Sequence, residues 1–471
     1  MKNLRGYWLI ISYVFFSFLS ACSQDEDVLE PVVTEDSLAV VDDSQYSLIN
    51  DWVYEVMSTY YFWSDEVNAP DSTNVDPEGY FYSILNEGDA FSYITDDYEG
   101  LMEEFSGVYT GMGFAPAFGL LSGSDRVFMI IEYVYADSPA DRAGLKRGDI
   151  VLAIDGQEMN TENYFQLFSE SQYTLSLASY DEENGFTDLD EGITLSAEVI
   201  NADPVLHHEL ISYADKKIGY MVYSEFISGE NNEWLNSLSN TLSEFAQQGV
   251  EEMVVDLRYN PGGEITMAQY LASALAPSSV VASQEVFVKF EYNPLLEASI
   301  ISYEGVDSQN LYNTFVNYGH NLNLERIYFL TTGSTASSSE LLINGLDPYM
   351  EVVTIGEPTV GKFYGSWVIP DLEEPVRHNW ALMPIVLKYA NAEGVTDFVD
   401  GLQPDYWVED NLLEAKAFGD TSDPMLATAL SLIGGELNTR ILREQNYRSY
   451  QRLEKPAQNR KNKTILIDMY E

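Results

Sequence analysis

A hydrophobic run, Tyr328-Phe-Leu, enters the turn Thr-Thr-Gly-Ser-Thr-Ala-Ser337-Ser-Ser-Glu340 and then a helical pattern. A serine at a helix N-terminus lies where free backbone N–H groups and the helix dipole favour negative charge. That suits an alkoxide-forming nucleophile and a tetrahedral intermediate. The same spacing, Ser337-x-x-Glu340, is also a capping box, which needs no chemistry. Lys362 lies 25 residues beyond Ser337, in Gly356-Glu-Pro-Thr-Val-Gly361-Lys362-Phe363. This matches the G-x-x-x-x-G-K of a phosphate loop, but such a loop needs Ser or Thr next to hold magnesium, and here Phe363 stands there, so a nucleotide site is rejected. A lysine in a glycine turn among apolar residues is instead a candidate general base. Desolvation can bring its pKa from about 10.4 towards neutrality, and a neutral amine beside Ser337 can take the hydroxyl proton.

Composition limits the alternatives. There are four histidines, His207, His208, His320 and His378, and one cysteine, Cys22. Adjacent histidines in a strand point to opposite faces, so His207-His208 is a poor metal pair. No H-E-x-x-H or Cys/His cluster exists, and neither a metal nor an organic cofactor is implied. A Ser-His-Asp triad is not excluded by count, but no histidine sits in a recognisable turn.

The serine and lysine turns resemble those of peptidase family S41, the tail-specific or carboxyl-terminal processing proteases. Three further segments fit that family in order: Gly219-Tyr220, Asp256-Leu-Arg-Tyr-Asn260-Pro-Gly262-Gly263, and Asp400-Gly401-Leu-Gln-Pro404-Asp405. The resemblance covers about residues 45–435. It implies Ser337 as nucleophile, Lys362 as base, and an oxyanion pocket from the N–H groups of Gly262, Gly263 and Ser338. Two positions depart from the family pattern: Ser366 replaces a glutamine four residues after the lysine, and Ser338 replaces a common alanine. Glu340 or Ser366 is left to orient the amine.

Upstream, Gly107-Val-Tyr-Thr-Gly111-Met112-Gly113-Phe114 precedes a strand, and Ala136-Asp-Ser-Pro-Ala-Asp-Arg-Ala-Gly144-Leu-Lys-Arg-Gly-Asp149-Ile-Val-Leu-Ala-Ile-Asp155-Gly156 follows. This segment resembles a PDZ domain of the bacterial protease type. A glycine-rich loop can hold a C-terminal carboxylate while a sheet edge accepts the peptide as a strand. The resemblance makes Gly111, Met112, Gly113 and Phe114 the carboxylate loop; the competing reading is a plain glycine hairpin.

The elements that must position these groups are legible as patterns. Apolar pairs recur every three to four residues from Leu48/Ile49 to Tyr60/Tyr61, predicting an amphipathic helix. Beyond Asp203, strand-like runs Ile218–Tyr223, Met253–Leu257, Ile327–Leu330 and Val352–Ile355 alternate with helical patterns. That indicates an α/β layer around a buried sheet. The expected fold is therefore α/β, or α+β across several domains. The resemblance makes it a crotonase-like β-α core with an inserted PDZ domain and an N-terminal helical cap.

Lys2 and Arg5 precede a 15-residue apolar run, Tyr7 to Ala21, too short for a spanning helix of about 20 residues and so read as a signal segment. Leu19-Ser-Ala-Cys22 resembles a bacterial lipobox, and the acidic residues after it resemble the surface-export signal of Bacteroidetes lipoproteins. The expected organisation is 1–21 signal peptide, 22–44 acidic tether, 45–106 helical region, 107–201 PDZ domain, 202–435 peptidase core and 436–471 basic tail. With 76 acidic against 23 basic residues, a net −53, the chain lacks the footprint that nucleic acids need. Membrane attachment would have to come from lipid on Cys22. Eight of the basic residues lie from Arg440 onward, against four acids. The expectation is an exported lipoprotein of the outer membrane, on its periplasmic or surface face. It would be a serine endopeptidase acting on polypeptides by a Ser-Lys mechanism, or else a silent peptide-binding relative.

Overall fold

The computed structural model describes residues 43–70, 76–121, 125–168, 170–181, 183–435, 450–453 and 465–466. The signal segment, Cys22 and the acidic stretch to residue 42 lie outside them.

Six strands form the central sheet, in the order Val205–Tyr213, Lys216–Tyr223, Glu252–Asp256, Arg326–Thr331, Glu351–Gly356 and Tyr406–Trp407. The first pair is antiparallel and the rest are parallel. The expected strand runs all lie within these bounds or within one residue of them. Their continuous apolar character follows from burial on both faces. Met253 and Val255 project to one side with Ile327 and Phe329, under helices Ile265–Leu275 and Ser338–Leu346. Val254, Tyr328 and Leu330 project to the other, under helix Pro424–Ile433.

Helix Asp43–Tyr60 joins the first of these cores through Ile49, Trp52, Val53, Val56 and Met57. Asn293 pins its end by donating to the Thr59 and Tyr61 carbonyls. A second sheet of five strands carries Tyr364–Ser366, which begins two residues after Lys362. On its outer edge Ile465 and Leu466 pair in parallel with Gly365 and Ser366. Among the described residues no helix is long and apolar enough to cross a membrane.

The glycine-turn region builds a third sheet, ordered Tyr450–Leu453, Phe114–Leu121, Val127–Val134, Ile150–Ile154, Gln172–Asp181 and Gly185–Ser196. Its join to the central sheet includes an ionic cluster. Arg147, from the Leu145-Lys-Arg-Gly-Asp turn, donates to Asp410 Oδ1 at 3.1 Å and to the Glu132 carbonyl. Arg258 reaches the same Asp410 oxygen at 3.5 Å, Asp423 at 2.9 Å and Asp256 at 2.6 Å, while the Tyr259 hydroxyl donates to Asp410 Oδ2 at 2.5 Å. All these side chains are buried, and every charge in the cluster has an opposite partner within reach. Pairing matters because an unpaired charge here would cost several kcal/mol.

Burial pushes the Asp410 carboxyl up, but Arg147, Arg258 and the Tyr259 hydroxyl outweigh it and hold its pKa at about 2. A folded pKa below the unfolded value of about 3.9 stabilises the protein above pH ~4, and that contribution is lost as pH falls towards 2. Asp410→Asn is expected to lose about 2–4 kcal/mol at neutral pH. Its urea midpoint should also depend less on pH between about 4 and 2. Urea titrations of both proteins across that range test this.

Candidate active site

Strand Arg326–Thr331 delivers the chain into the turn that ends at Ser337, and hydroxyls sew that turn to the loop after Asp256. Thr335 Oγ1 donates to the Leu257 carbonyl at 2.8 Å, Ser339 Oγ to the Asn260 carbonyl at 3.1 Å and Ser338 Oγ to the Gly263 carbonyl at 2.7 Å. Thr332 Oγ1 donates to the Arg258 carbonyl, and the Ala336 N–H to the Asn260 carbonyl at 3.0 Å. The run of Ser and Thr therefore satisfies buried backbone that would otherwise lack partners.

Ser337 itself has φ +60° and ψ −117°, a conformation that costs a non-glycine residue on the order of 1–3 kcal/mol. It persists because both sides of the residue are held. The Glu340 carboxylate accepts the Ser337 N–H at 2.8 Å, and the Tyr389 hydroxyl donates to the Ser337 carbonyl at 3.2 Å. The pair keeps capping-box geometry, yet only its Glu340 half reaches hydrogen-bond distance. The Ser337 hydroxyl is buried and has no hydrogen-bond partner among the described residues.

The same two clamps hold the lysine turn. Glu340 also accepts the Gly361 N–H at 2.7 Å, the Lys362 N–H at 2.8 Å and the Thr359 hydroxyl at 2.5 Å, and the Tyr389 hydroxyl donates to the Lys362 carbonyl at 3.1 Å. Thr359 Oγ1 in turn accepts the Leu402 N–H, bringing in the Asp400-Gly401-Leu segment. That contact needs glycine: a Cβ on Gly401 would lie 2.0 Å from the Thr359 carbonyl oxygen. Lys362 is 2% exposed, with Nζ 5.1 Å from the centre of the Phe91 ring. Burial lowers its pKa to about 7 against the opposing pull of Glu340 and Asp89.

Glu340 thus meets the lysine through the backbone, and its negative charge is felt by the amine. Ser366 is also buried, and its hydroxyl has no hydrogen-bond partner among the described residues. Gly262, at φ +109°, lies against the serine turn: a Cβ there would come within 2.6 Å of Ser337 Cβ and 2.9 Å of Ser338 N. Its N–H donates to Asn260 Oδ1 at 2.9 Å, so of the three groups expected to form an oxyanion pocket this one is already engaged. Gly263 bridges Phe226 in parallel through its neighbours, with the Phe226 N–H on the Gly262 carbonyl and the Glu264 N–H on the Phe226 carbonyl. That leaves the Gly263 N–H outside the ladder. Ser338 opens its helix, where the N–H has no intrahelical acceptor.

The histidines are occupied elsewhere. His320 bonds Ser239, His378 packs on Trp52, and His207 and His208 face Glu209 and Glu244. Among the described residues no three His, Cys, Asp or Glu side chains are grouped to hold a metal ion.

In the third sheet, Gly113 has φ +81°, and its carbonyl accepts the Tyr135 N–H and the Ser138 hydroxyl. Met112 turns its side chain into the core of that sheet and not into a groove. Gly111 ends the strand Val108–Gly111 that pairs with Glu198–Asn201. Phe114 starts the strand after the turn and lines a cleft of about 460 Å³ with Tyr109, Tyr133, Tyr135 and Glu225, none of which the sequence pattern had marked.

Residues 217–408 match the family described as peptidase family S41, residues 48–93 the peptidase S41 N-terminal domain, and residues 130–176 a PDZ domain. The chain carries an S41 peptidase domain together with a PDZ domain. Similar curated proteins include the carboxyl-terminal-processing proteases of Synechocystis sp., 25% identical over 301 residues and 64% of each chain, and of Picosynechococcus sp., 26% identical over 229 residues and 48% of each. The chain therefore spans about half to two thirds of the curated relatives it matches. A solved structure from Bacteroides fragilis, provisionally named an S41 protease, is 26% identical, with a TM-score of 0.68 over 86% of this chain and 99% of that one. The S41 domain holds both the serine and the lysine turns.

Lys362 carries a stability consequence. Its folded pKa of about 7 lies below the unfolded value of about 10.4. Folding therefore expels a proton between about pH 7 and 10, and below about 7 it buries the charged amine, so the cost is full there. Lys362→Met is expected to stabilise the protein at pH 7 and below by several kcal/mol, with the advantage shrinking as pH rises to about 10. Denaturant melts of both proteins at pH 6, 8 and 10 check the sign and the trend.

Proposed function

We propose that this protein is a serine endopeptidase that cleaves exported or unfolded polypeptides by a Ser337–Lys362 acyl-enzyme mechanism, with the PDZ domain capturing a C-terminal segment. One observation carries the reading. A single carboxylate and a single phenol hold the backbones of both residues, while the serine hydroxyl stays unbonded and burial brings the amine to about 7. A structural turn has no use for a desolvated amine, nor for a strained serine whose hydroxyl is left unbonded. For this reason the silent-binder reading is not favoured.

The neutral Lys362 amine takes the proton from Ser337 Oγ as the oxygen attacks the peptide carbonyl carbon. The N–H groups of Gly263 and Ser338 receive the resulting oxyanion, aided by the N-terminus of helix Ser338–Leu346. Gly262 is left out of this pocket, because its N–H serves Asn260. Its part is to let the loop lie close. The protonated amine then returns its proton to the leaving nitrogen as the C–N bond breaks, and water hydrolyses the acyl-enzyme by the same route. Glu340 is a positioning residue that fixes the two turns against each other. Ser366, next along the strand that leaves the lysine turn, is the remaining candidate for orienting the amine.

The carboxyl-terminal processing relatives support a C-terminal segment as the captured feature, with Gly111, Met112, Gly113 and Phe114 as its carboxylate loop. Met112 would contribute through backbone, since its side chain is in the core. The domain boundaries expected from sequence and the lipid on Cys22 belong to the same proposal. The protein would work outside the cytoplasm, on the periplasmic or surface face of the outer membrane.

With an unfolded protein as substrate, Ser337→Ala and Lys362→Ala are each expected to lose at least about 10³-fold in kcat/KM, and the double variant little more, because the two act as a unit. Equal cleavage by all the proteins would refute the mechanism. In the unsubstituted enzyme kcat/KM should rise with pH through about 7 and then level, as the amine loses its proton. A flat profile from pH 5 to 9 would remove Lys362 as the base.

A further inference from the structure

The PDZ sheet edge that a peptide would extend is already paired. Strand Phe114–Leu121 follows the Gly111–Gly113 turn, and its outer edge carries Tyr450–Leu453 from the basic tail. The pairing is antiparallel, Tyr450 opposite Leu121 and Leu453 opposite Phe118, so the tail runs towards the glycine turn. An added strand in that direction on that edge is how a peptide augments a sheet.

The side chains alternate as a bound strand requires. Tyr450 is buried on one face, its ring 5.2 Å from Phe128. Arg452, on the same face, forms an ion pair with Glu132, whose side chain is 2% exposed, and its guanidinium lies 6.0 Å from the Tyr259 ring. Leu453 points to the opposite face, into the apolar cluster of Met112 and Phe118. There Phe118 also meets Tyr164 at 4.9 Å and Phe168 at 5.5 Å.

Glu132 is placed for this contact by a bulge. The ladder between Phe114–Leu121 and Val127–Val134 slips at Ala115/Pro116, where proline cannot donate, and Glu132 is the extra residue. A carboxylate buried to this degree is costly without a cation beside it.

We propose that this edge is an interaction surface for extended segments of the pattern aromatic-x-basic-aliphatic, and that the chain's own Tyr450–Leu453 is its resident occupant, which a substrate segment must displace. The proposal rests on the peptide-capturing role assigned to the PDZ domain above. A displacing peptide must bring an arginine or lysine to the position of Arg452, or it leaves Glu132 buried without that partner. It must also bring an aliphatic side chain to the place of Leu453. A tethered strand competes at an effective concentration on the order of millimolar, so the tail sets a threshold that weak or acidic peptides do not pass. The net charge of −53 favours the approach of basic segments to the molecule as a whole.

The test uses the full chain carrying Ser337→Ala, with and without Leu453→Asp, and a fluorescent peptide of residues 447–455 read by anisotropy. The peptide is expected to bind the Leu453→Asp chain at least about tenfold more tightly than the chain with its tail intact. The same peptide carrying Arg452→Glu should bind that variant at least about tenfold more weakly. Hydrogen exchange on the intact-tail chain gives a second reading that does not depend on the variant folding. Saturating peptide should expose the amides of 450–453 while those of 127–134 stay protected. Amides of 450–453 that stay protected under saturating peptide overturn the proposal, as do equal binding of the two peptides or equal affinities of the two chains. Failure of the unsubstituted chain to cleave any protein would instead overturn the peptidase reading and leave these binding outcomes readable.

Discussion

A single buried carboxylate organises the half of this molecule that holds the candidate active site. Glu340 collects the N–H groups of Ser337, Gly361 and Lys362 and the hydroxyl of Thr359. Two turns with unsatisfied donors, separated by helix Ser338–Leu346 and strand Glu351–Gly356, converge on its two oxygens. Burial raises its pKa, and the donors pull it back down. The arrangement is over-determined, because the Tyr389 hydroxyl joins the carbonyls of the same two residues from the other side. Over-determination is what lets Ser337 hold φ +60° and Lys362 stay desolvated, two local costs that neither turn could bear alone. The strain and the shifted amine are thus properties of the joint.

Much of this was legible in the sequence, for a physical reason. The strands of the central sheet are buried on both faces, so they appear as apolar runs, and the runs fall where the strands do. Helices Glu233–Gln248 and Ile265–Leu275 follow the spacing of Leu238, Leu242 and Phe245 and of Ile265, Ala268 and Leu271. The serine and lysine turns carry local signatures because glycine and small hydroxyl residues are dictated by close backbone approach. What stayed hidden depends on single polar residues distant in sequence. Tyr389 lies 52 residues beyond Ser337, and Asp410 lies 152 beyond Arg258. Neither belongs to a pattern, and each is an ordinary residue until folding brings it to its partner. The engagement of Gly262 by Asn260 was hidden for a different reason. Both residues sit inside a recognisable motif, but a motif does not say which N–H faces outward. The tail strand Tyr450–Leu453 is too short for its alternation to stand out.

The distribution of cations gives the acidic composition its structural meaning. Only 23 basic residues face 76 acids, yet the side chains of Arg147, Arg258 and Lys362 are buried, and that of Arg452 is largely enclosed. Arg258 ties the loop that ends at Gly263 to Asp423 and Asp410, and Arg147 ties the PDZ domain to that same Asp410. The guanidinium suits this because its planar fork bonds several carboxylates and carbonyls at once and stays charged when buried. Lys362 is the exception that shows the rule. It lies in a pocket with the Phe91 ring nearby, and Glu340 spends its hydrogen bonds on backbone. An ammonium loses its proton under such conditions where a guanidinium would not. Exchanging lysine for arginine there would fix a charge that the lysine can shed and would remove the group proposed as base. The same reasoning separates the surface of this protein from its joints: the excess of negative charge solvates the exterior, and the few positive charges decide which segments are held together.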